Sequence, residues 1–548
     1  MVLRLEDKCQ NAEKNAEQSP HRRSRAHISL RDRGLRLLYS RTWPCIVRLT
    51  IGLGGRAMHR QVFPNLTARF GLLFTCLAAT LAYSLAVAPG AWAQADLPPL
   101  DERDRAMTMR GEFTLAGVGD LMIRRPASRL ADAEVQAVLD IVRDADLAVG
   151  NMEGELADLK AFDGPLNGFV GTHEVARDLK LMGFDMVNRA QNHLLDSEFE
   201  GMFSTNALLD EAGIVHAGTG RNLQEAAAPA FLELEQGRAA LIGMHAPIFP
   251  EHNRLAATPR IGNLGGRPGL NMLNLSETIL VSGQQFSALR QVHDEFQRFR
   301  GNFDNPRPVA AGSPAEGMRF PASSSGRNDP TYRVEQAGEI PGTVVYQMNT
   351  EDLDRILRNI RNARQLGDFV IAAAHIHQSQ SVLETQHLST RPPAFYVELA
   401  HRAIDAGADA FLGTGVQTLR GIEIYNGKPI FYGLGEFFRE AQWELEVSTG
   451  NADSNASRRM QQFARNFGGT TQSLEILVAV SRFEDGELTE VRLYPTELGI
   501  DEPDSRLGIP RMAELQHAQR ILQRVERLSD QWGTQIDIEG NVGVIRVR

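Results

Sequence analysis

The sequence predicts an α/β protein whose core is a sheet with helical crossovers. Two observations carry that prediction. Apolar runs of strand length alternate with stretches of helical apolar spacing across residues 113–415. Polar residues able to bind metals or move protons recur just past those runs, at the edge where open α/β sheets build their sites.

The elements follow in order. "FTLAGVGDLMI" (113–123) reads as a buried strand with Gly119-Asp120 at its C-terminal edge. "DAEVQAVLDIVRDA" (132–145) has helical spacing, and "DLAVGNMEGEL" (146–156) reads as a second buried strand ending in Asn151 and Glu153. "HEVARDLKLMG" is a helix stopped by Gly183. Phe184–Val187 is a third strand, and its loop holds Asn192 and His193, followed by Asp196. "GMFSTNALLDEAG" is a helix stopped by Gly213, "IVHAGTG" a strand and turn, and "RAALIGMHA" (238–246) a further strand.

From about 250 to 335 the pattern dissolves into Gly, Pro, Asn and Ser, which reads as an insertion beside the site or arching over it. Regular spacing resumes with the helix "EDLDRILRNIRNARQLG" and the strand "DFVIAAAHIHQ", which ends in His375 and His377. "AFYVELAHRAIDAG" is a helix and "ADAFLGTG" a strand. Residues 421–438 read as a hairpin turning at Asn426-Gly427, and 473–498 as another turning at Asp485-Gly486. Residues 499–548 supply a helix and a short strand.

The first 93 residues differ from the rest. They hold 14 basic against 5 acidic residues, which leaves 44 against 63 in the remainder, a net of −19. An acidic body argues against nucleic acid as a partner. From Met58 the chain has a basic n-region, an uncharged apolar run over Gly71–Ala88, a Pro-Gly break and "AWA" (91–93). Those are the parts of a secretory signal peptide, with a membrane anchor as the alternative. Residues 1–57 read as a disordered or mis-started extension. Cys9, Cys45 and Cys76 all precede the cleavage point, so the exported chain would hold no thiol. The expected location is the periplasm or cell surface.

Four strand ends deliver Asp120, Glu153, Asn192-His193 and His375. Carboxylate, amide oxygen and imidazole are the donors a divalent metal takes, and an adjacent His can protonate a leaving group. Each has a structural alternative when taken singly. Asp120 could be a cap, Glu153 a solvated loop acid, Asn192-His193 a helix start, and His375 a hydrogen-bonded core histidine. Their shared sheet edge is what favours a site.

These residues carry a resemblance. "VGDLMI", "VGNMEGEL", "NRAQNHLLDSEFEGM", "RPGLNMLN", "AAAHIHQS" and "GIEIYNGKPIFYGLGEFF" resemble, in order, the bacterial capsule-synthesis CapA family, over roughly residues 111–498. The resemblance implies a metallophosphoesterase-like α/β/β/α sandwich with the Gly/Pro-rich insertion at about 250–335. It implies a divalent metal (Mn, Mg or Zn) held by Asp120, Glu153, Asn192, His375 and His377, with His193 as acid/base. It also implies a role in capsule, poly-γ-glutamate or related cell-envelope polymer biosynthesis, with a polymer or small anionic substrate and a capsule-synthesis membrane complex as partners.

The sequence departs from the family pattern in one region. Thr414 and Gln417 stand where two histidines are usual, and Gln378 and Glu436 replace a Glu and an Asn. Two functions follow: a metal-dependent hydrolase or transferase on a phosphoester or amide-type bond, or a non-catalytic member that binds polymer or assists assembly.

Overall fold

The computed structural model describes residues 108–547, apart from 248–249, 300–317, 320–330, 385–387, 441–470, 500–501 and 504–505. All of them belong to the unit Gln94–Arg548. The extension and signal-peptide expectations, residues 1–93, lie outside the described residues, as does part of the insertion.

The first half of the chain supplies β1 (Glu112–Met122), α1 (Ala133–Arg143), β2 (Leu147–Asn151), α2 (Glu174–Leu181), β3 (Met186–Asn188), α3 (Glu198–Ala212), β4 (Val215–Ala217), β5 (Ala230–Leu234) and β6 (Gly237–His245). The second half supplies α4 (Thr350–Arg364), β7 (Phe369–His375), α5 (Ala394–Asp405), β8 (Ala410–Thr414), β9 (Ile422–Tyr425), β10 (Lys428–Phe431), β11 (Glu436–Arg439), β12 (Glu475–Glu484), β13 (Glu487–Glu497), α6 (Leu515–Ser529) and β14 (Val542–Arg546).

Nearly every residue of β1, β2, β7 and β8 is buried, so each sheet needs cover on both faces. The structure meets that need with four layers. One sheet runs β14-β13-β12-β1-β2-β3-β4, and the other runs β9-β10-β8-β7-β6-β5. Phe113, Leu115, Leu147 and Val149 of the first sheet share one core with Leu241, Phe369, Ile371 and Leu412 of the second. The outer face of the first sheet packs on α1, α2 and α3 through residues such as Val138, Leu139, Leu179 and Leu209. The outer face of the second packs on α4 and α5 through Ile356, Ile360, Tyr396 and Leu399. The fold is therefore an α/β/β/α sandwich.

Several boundaries differ from the sequence reading. The run 146–156 is not one strand. It breaks after Asn151, and Glu155–Ala157 pairs with Val170–Thr172 in a separate small sheet. Gly154 takes φ +98° at the corner, and the buried Arg189 guanidinium holds it by donating to the carbonyls of Met152 and Gly154 at 3.1 and 2.6 Å. The strand β5 was not anticipated; its residues are only partly buried and give no clean alternation.

Within 250–335 the structure is more regular than the composition suggests. It holds a strand at Leu275–Val281 and a helix at Gly283–Phe299, and the strand joins a four-stranded sheet with Thr331–Val334 and Val344–Met348. The Gly- and Pro-rich windows flanking these elements dominated the reading.

The 421–438 segment divides as well. β9 and β10 form the hairpin around Asn426 and Gly427, both at positive φ, and β11 crosses to the other sheet to pair in parallel with β1. That crossing needs Gly119: a Cβ there would sit 1.7 Å from the Gly435 carbonyl oxygen. The C-terminal segment is integral to the sandwich. α6 buries Ala518, Ile521 and Leu522 in the inter-sheet core, and β14 extends the first sheet.

Candidate functional site

The parallel strands of both sheets end at a common rim. Asp120 pairs in register with Asn151, and Asn151 with Asn188. On the other sheet His375 pairs with His245 on one side and Thr414 on the other. The register of β1 shifts on either side of Asp120, so its side chain is presented at an irregularity between β2 and β11.

A chain of buried hydrogen bonds ties the rim together. Asn188 Nδ2 donates to Asn151 Oδ1 at 2.8 Å, and Asn151 Nδ2 donates to Asp120 Oδ1 at 2.7 Å. The Gly415 amide donates to Asp120 Oδ2 at 3.0 Å. His375 Nδ1 lies 3.3 Å from Asp120 Oδ1, 3.0 Å from Thr414 Oγ1 and 3.1 Å from Asn151 Nδ2. These three groups hold the ring from its Nδ1 side.

Its Nε2 faces other ligand-type atoms. His375 Nε2 is 2.7 Å from Asn192 Oδ1, 2.9 Å from His377 Nε2 and 3.8 Å from Glu153 Oε1. His377 Nε2 is 3.3 Å from Asn192 Oδ1. Glu153, His375 and His377 each place one ligand atom within 4.8 Å of the others. Separations of roughly 3 Å suit donors that share an ion at bonds of about 2 Å. A carboxylate oxygen, an amide oxygen and two imidazole nitrogens this close together are a donor set that fits a divalent cation.

The electrostatics point the same way. Burial pushes the Glu153 carboxyl well above the usual carboxylate range, with the charges of Asp120 and Glu436 adding to the effect and Arg439 opposing it. Burial also raises Glu436 to about 7, against the pull of Arg439. A divalent ion at this rim would favour the ionised forms of the buried carboxyls that burial disfavours.

His193 stands at the margin, about a quarter exposed. Its Nδ1 is 2.8 Å from Asp196 Oδ2, its Nε2 is 3.6 Å from Glu153 Oε1, and the Phe169 ring meets it edge-on at 4.4 Å. Asp196 is held close by Gly168 at φ +66°, where a Cβ would fall 1.8 Å from Asp196 Oδ2. The segment is no helix start: α3 begins at Glu198, five residues beyond His193.

The structure thus brings Glu153, Asn192, His375 and His377 to one point, with His193 beside them. Asp120 belongs to the same network but lies on the Nδ1 side of His375, with both oxygens already engaged. Oδ1 accepts from the Asn151 amide and Oδ2 from the Gly415 N–H. Thr414 contacts His375 through its hydroxyl. Sequence reasoning missed Arg189, which shapes the Glu153 corner, and His245, whose Nδ1 lies 2.9 Å from the His375 carbonyl oxygen. His245 was legible only as a strand-end histidine in "RAALIGMHA".

Fold and rim define a strand-edge cluster of carboxylate, amide and imidazole groups in an α/β/β/α sandwich. The model of the family "Bacterial capsule synthesis protein PGA_cap" matches residues 114–441, and the chain belongs to that family. Two proteins of Sinorhizobium fredii, y4sH and y4uA, both described as uncharacterized, are each 36% identical over 461 residues, covering 79% of this chain and 93% of their own length. A crystal structure of a putative 5'-nucleotidase from Staphylococcus aureus in complex with alpha-ketoglutarate aligns at 9% identity with a TM-score of 0.31, over 76% of this chain and 58% of that one.

Proposed function

We propose that this capsule-synthesis family member is exported and is a metal-dependent hydrolase or transferase acting on a phosphoester or amide-type bond in a cell-envelope polymer or its anionic precursor. The observation that carries the reading is the convergence of Glu153, Asn192, His375 and His377, with His193 aimed at the same space. A divalent cation held by these four residues would polarise the bond under attack and ease attack by water. The residues of the chain do the rest. Asp120 and Thr414 hold the His375 ring in place. Asp196 holds the His193 ring at Nδ1, so Nε2 can carry a proton to the leaving group. Phe169 shields one side of that ring from water.

A second reading, polymer binding without turnover, is favoured by one feature. The β8 edge offers Thr414 and Gln417, a hydroxyl and an amide, where the family pattern has imidazoles. Both readings keep the protein outside the cytoplasm, and poly-γ-glutamate is the polymer to try first. The test is hydrolysis of a phosphodiester ester and a γ-glutamyl amide by the full chain, with and without chelator, alongside His193→Ala. Metal-dependent turnover lost in the variant supports the enzyme. Cation binding with no turnover on either bond supports the binding protein.

A further inference from the structure

Beyond β6 the segment 258–267 doubles back on itself, and its tip is apolar. Ile261 and Leu264 face each other across a two-residue turn. The Ile261 amide donates to the Leu264 carbonyl at 3.2 Å, and the Leu264 amide to the Ile261 carbonyl at 3.0 Å. Residues directly opposite in such a pair project from the same side. The two side chains are 66% and 67% exposed, and a Cβ added at Gly262 or Gly265 would meet nothing within 4 Å. Turns of this kind are usually polar. Two large aliphatics side by side in solvent mark a contact surface.

The stem of the turn is built without them. The Thr258 amide donates to the Arg267 carbonyl at 3.0 Å, and the Arg267 amide to the Thr258 hydroxyl at 2.7 Å. Below that, Leu255, Leu270 and Met272 are buried in one cluster with Leu194, Leu195 and Met202. Leu194 follows His193 in the chain, so the stem packs against the loop that bears the histidine. The charge of the segment is also unlike its surroundings. Residues 252–276 hold three arginines and no carboxylate, in a body of net −19. Arg254 and Arg260 are exposed, and Arg267 donates to the Ala256 carbonyl at 2.6 Å. Among the described residues none of the three is paired with a carboxylate, and the nearby Glu225 is taken by Arg221 at 2.9 Å.

We infer that this turn docks on the surface of an anionic phospholipid bilayer, with Ile261 and Leu264 entering the boundary between headgroups and acyl chains and the arginines of the segment drawn to lipid phosphate. Charge selects the surface. The acidic body is repelled by anionic lipid, so an acid-free basic segment is the part that can approach it. Size argues against a protein partner. Two side chains fall far short of the roughly 800 Å² per partner that a stable protein interface buries, whereas a small apolar tip backed by basic residues suffices for reversible contact with lipid. The contact is peripheral, since no helix among the described residues is long and apolar enough to cross a membrane. The inference does not depend on a metal at the rim.

The test is amide hydrogen exchange of the full chain, read peptide by peptide, with and without vesicles of equal parts phosphatidylcholine and phosphatidylglycerol. The local readout separates the turn from any binding through the apolar run at 71–88. Amides of 259–266 are expected to exchange about three-fold or more slowly on these vesicles, and to be unchanged on phosphatidylcholine alone. In the double variant Ile261→Ser, Leu264→Ser the slowing is expected to vanish, with the far-ultraviolet circular dichroism as in the wild type. Unchanged exchange of 259–266 on the mixed vesicles overturns the inference, as does equal slowing on the two kinds of vesicle or in the folded variant. Should the variant not fold, the wild-type comparison between the two kinds of vesicle decides alone.

Discussion

Asp120 Oδ1 lies 3.3 Å from His375 Nδ1, on the far side of the imidazole from the atoms that Glu153, Asn192 and His377 bring together. A carboxylate placed there would act on a bound ion through the ring beside it. Carboxylate–imidazole pairs of this kind tune a metal ligand without touching the ion.

Asp120→Asn is expected to weaken cation binding by about 10–100-fold without abolishing it, the range for partners that orient a ligand. Chelator competition measures this. Loss of all binding in a folded Asp120→Asn would instead place Asp120 on the ion. Asp120→Ala should also lower stability by roughly 1–3 kcal/mol, because the Asn151 amide and the Gly415 N–H lose their acceptor.

His193→Ala should lower turnover by about 10²–10⁴-fold with metal content unchanged, the span for a positioned general acid. Asp196→Asn should produce a smaller loss, since the ring stays but its Nδ1 partner changes. Metal analysis beside steady-state rates separates the two roles. A His193→Ala protein that loses its ion would make His193 a ligand.

Arg189→Leu should destabilise the protein by roughly 3 kcal/mol, since two buried carbonyls lose a charged donor and Glu155 loses its nearby cation. Denaturant unfolding reads the loss. Because those carbonyls flank Glu153, cation affinity should fall in the same variant, and unchanged affinity would separate the corner from the centre.

His517 offers a test of the C-terminal helix that is independent of the site. Hydrogen bonds to Glu475 and Glu497 raise its pKa to about 9. A cation favoured in the folded state adds stability that is fully present below the unfolded value near 6.5 and is lost as pH rises through about 9. Melting temperature should thus decline between pH 7 and 10, and His517→Gln should flatten that part of the profile. An equal decline in the variant would assign it to other groups.

Much of this was legible in the sequence, for physical reasons. Buried parallel strands such as "FVIAAAH" read as continuous apolar runs, and the residue after such a run falls at the sheet edge, which is how His375 and Asn192 were found. Asp120 was found on the same grounds, but which side of His375 it faces depends on a register shift in β1 that no local pattern encodes. Arg189 and His245 were passed over because each acts through backbone carbonyls 35 to 130 positions away in the chain. The crossing of β11 to the other sheet depends on Gly119 meeting Gly435, a contact between residues more than 300 apart. The helix Gly283–Phe299 was obscured by Gly- and Pro-rich neighbours on both sides.

The central claim is tested most directly by counting bound ions. The wild-type protein, purified without chelator and dialysed against metal-free buffer, should retain about one zinc, manganese or cobalt ion per chain by elemental analysis, and the double variant Glu153→Ala, His375→Ala should retain none while still folded. A wild-type protein that holds no ion, even after dialysis against micromolar zinc or manganese, contradicts the account.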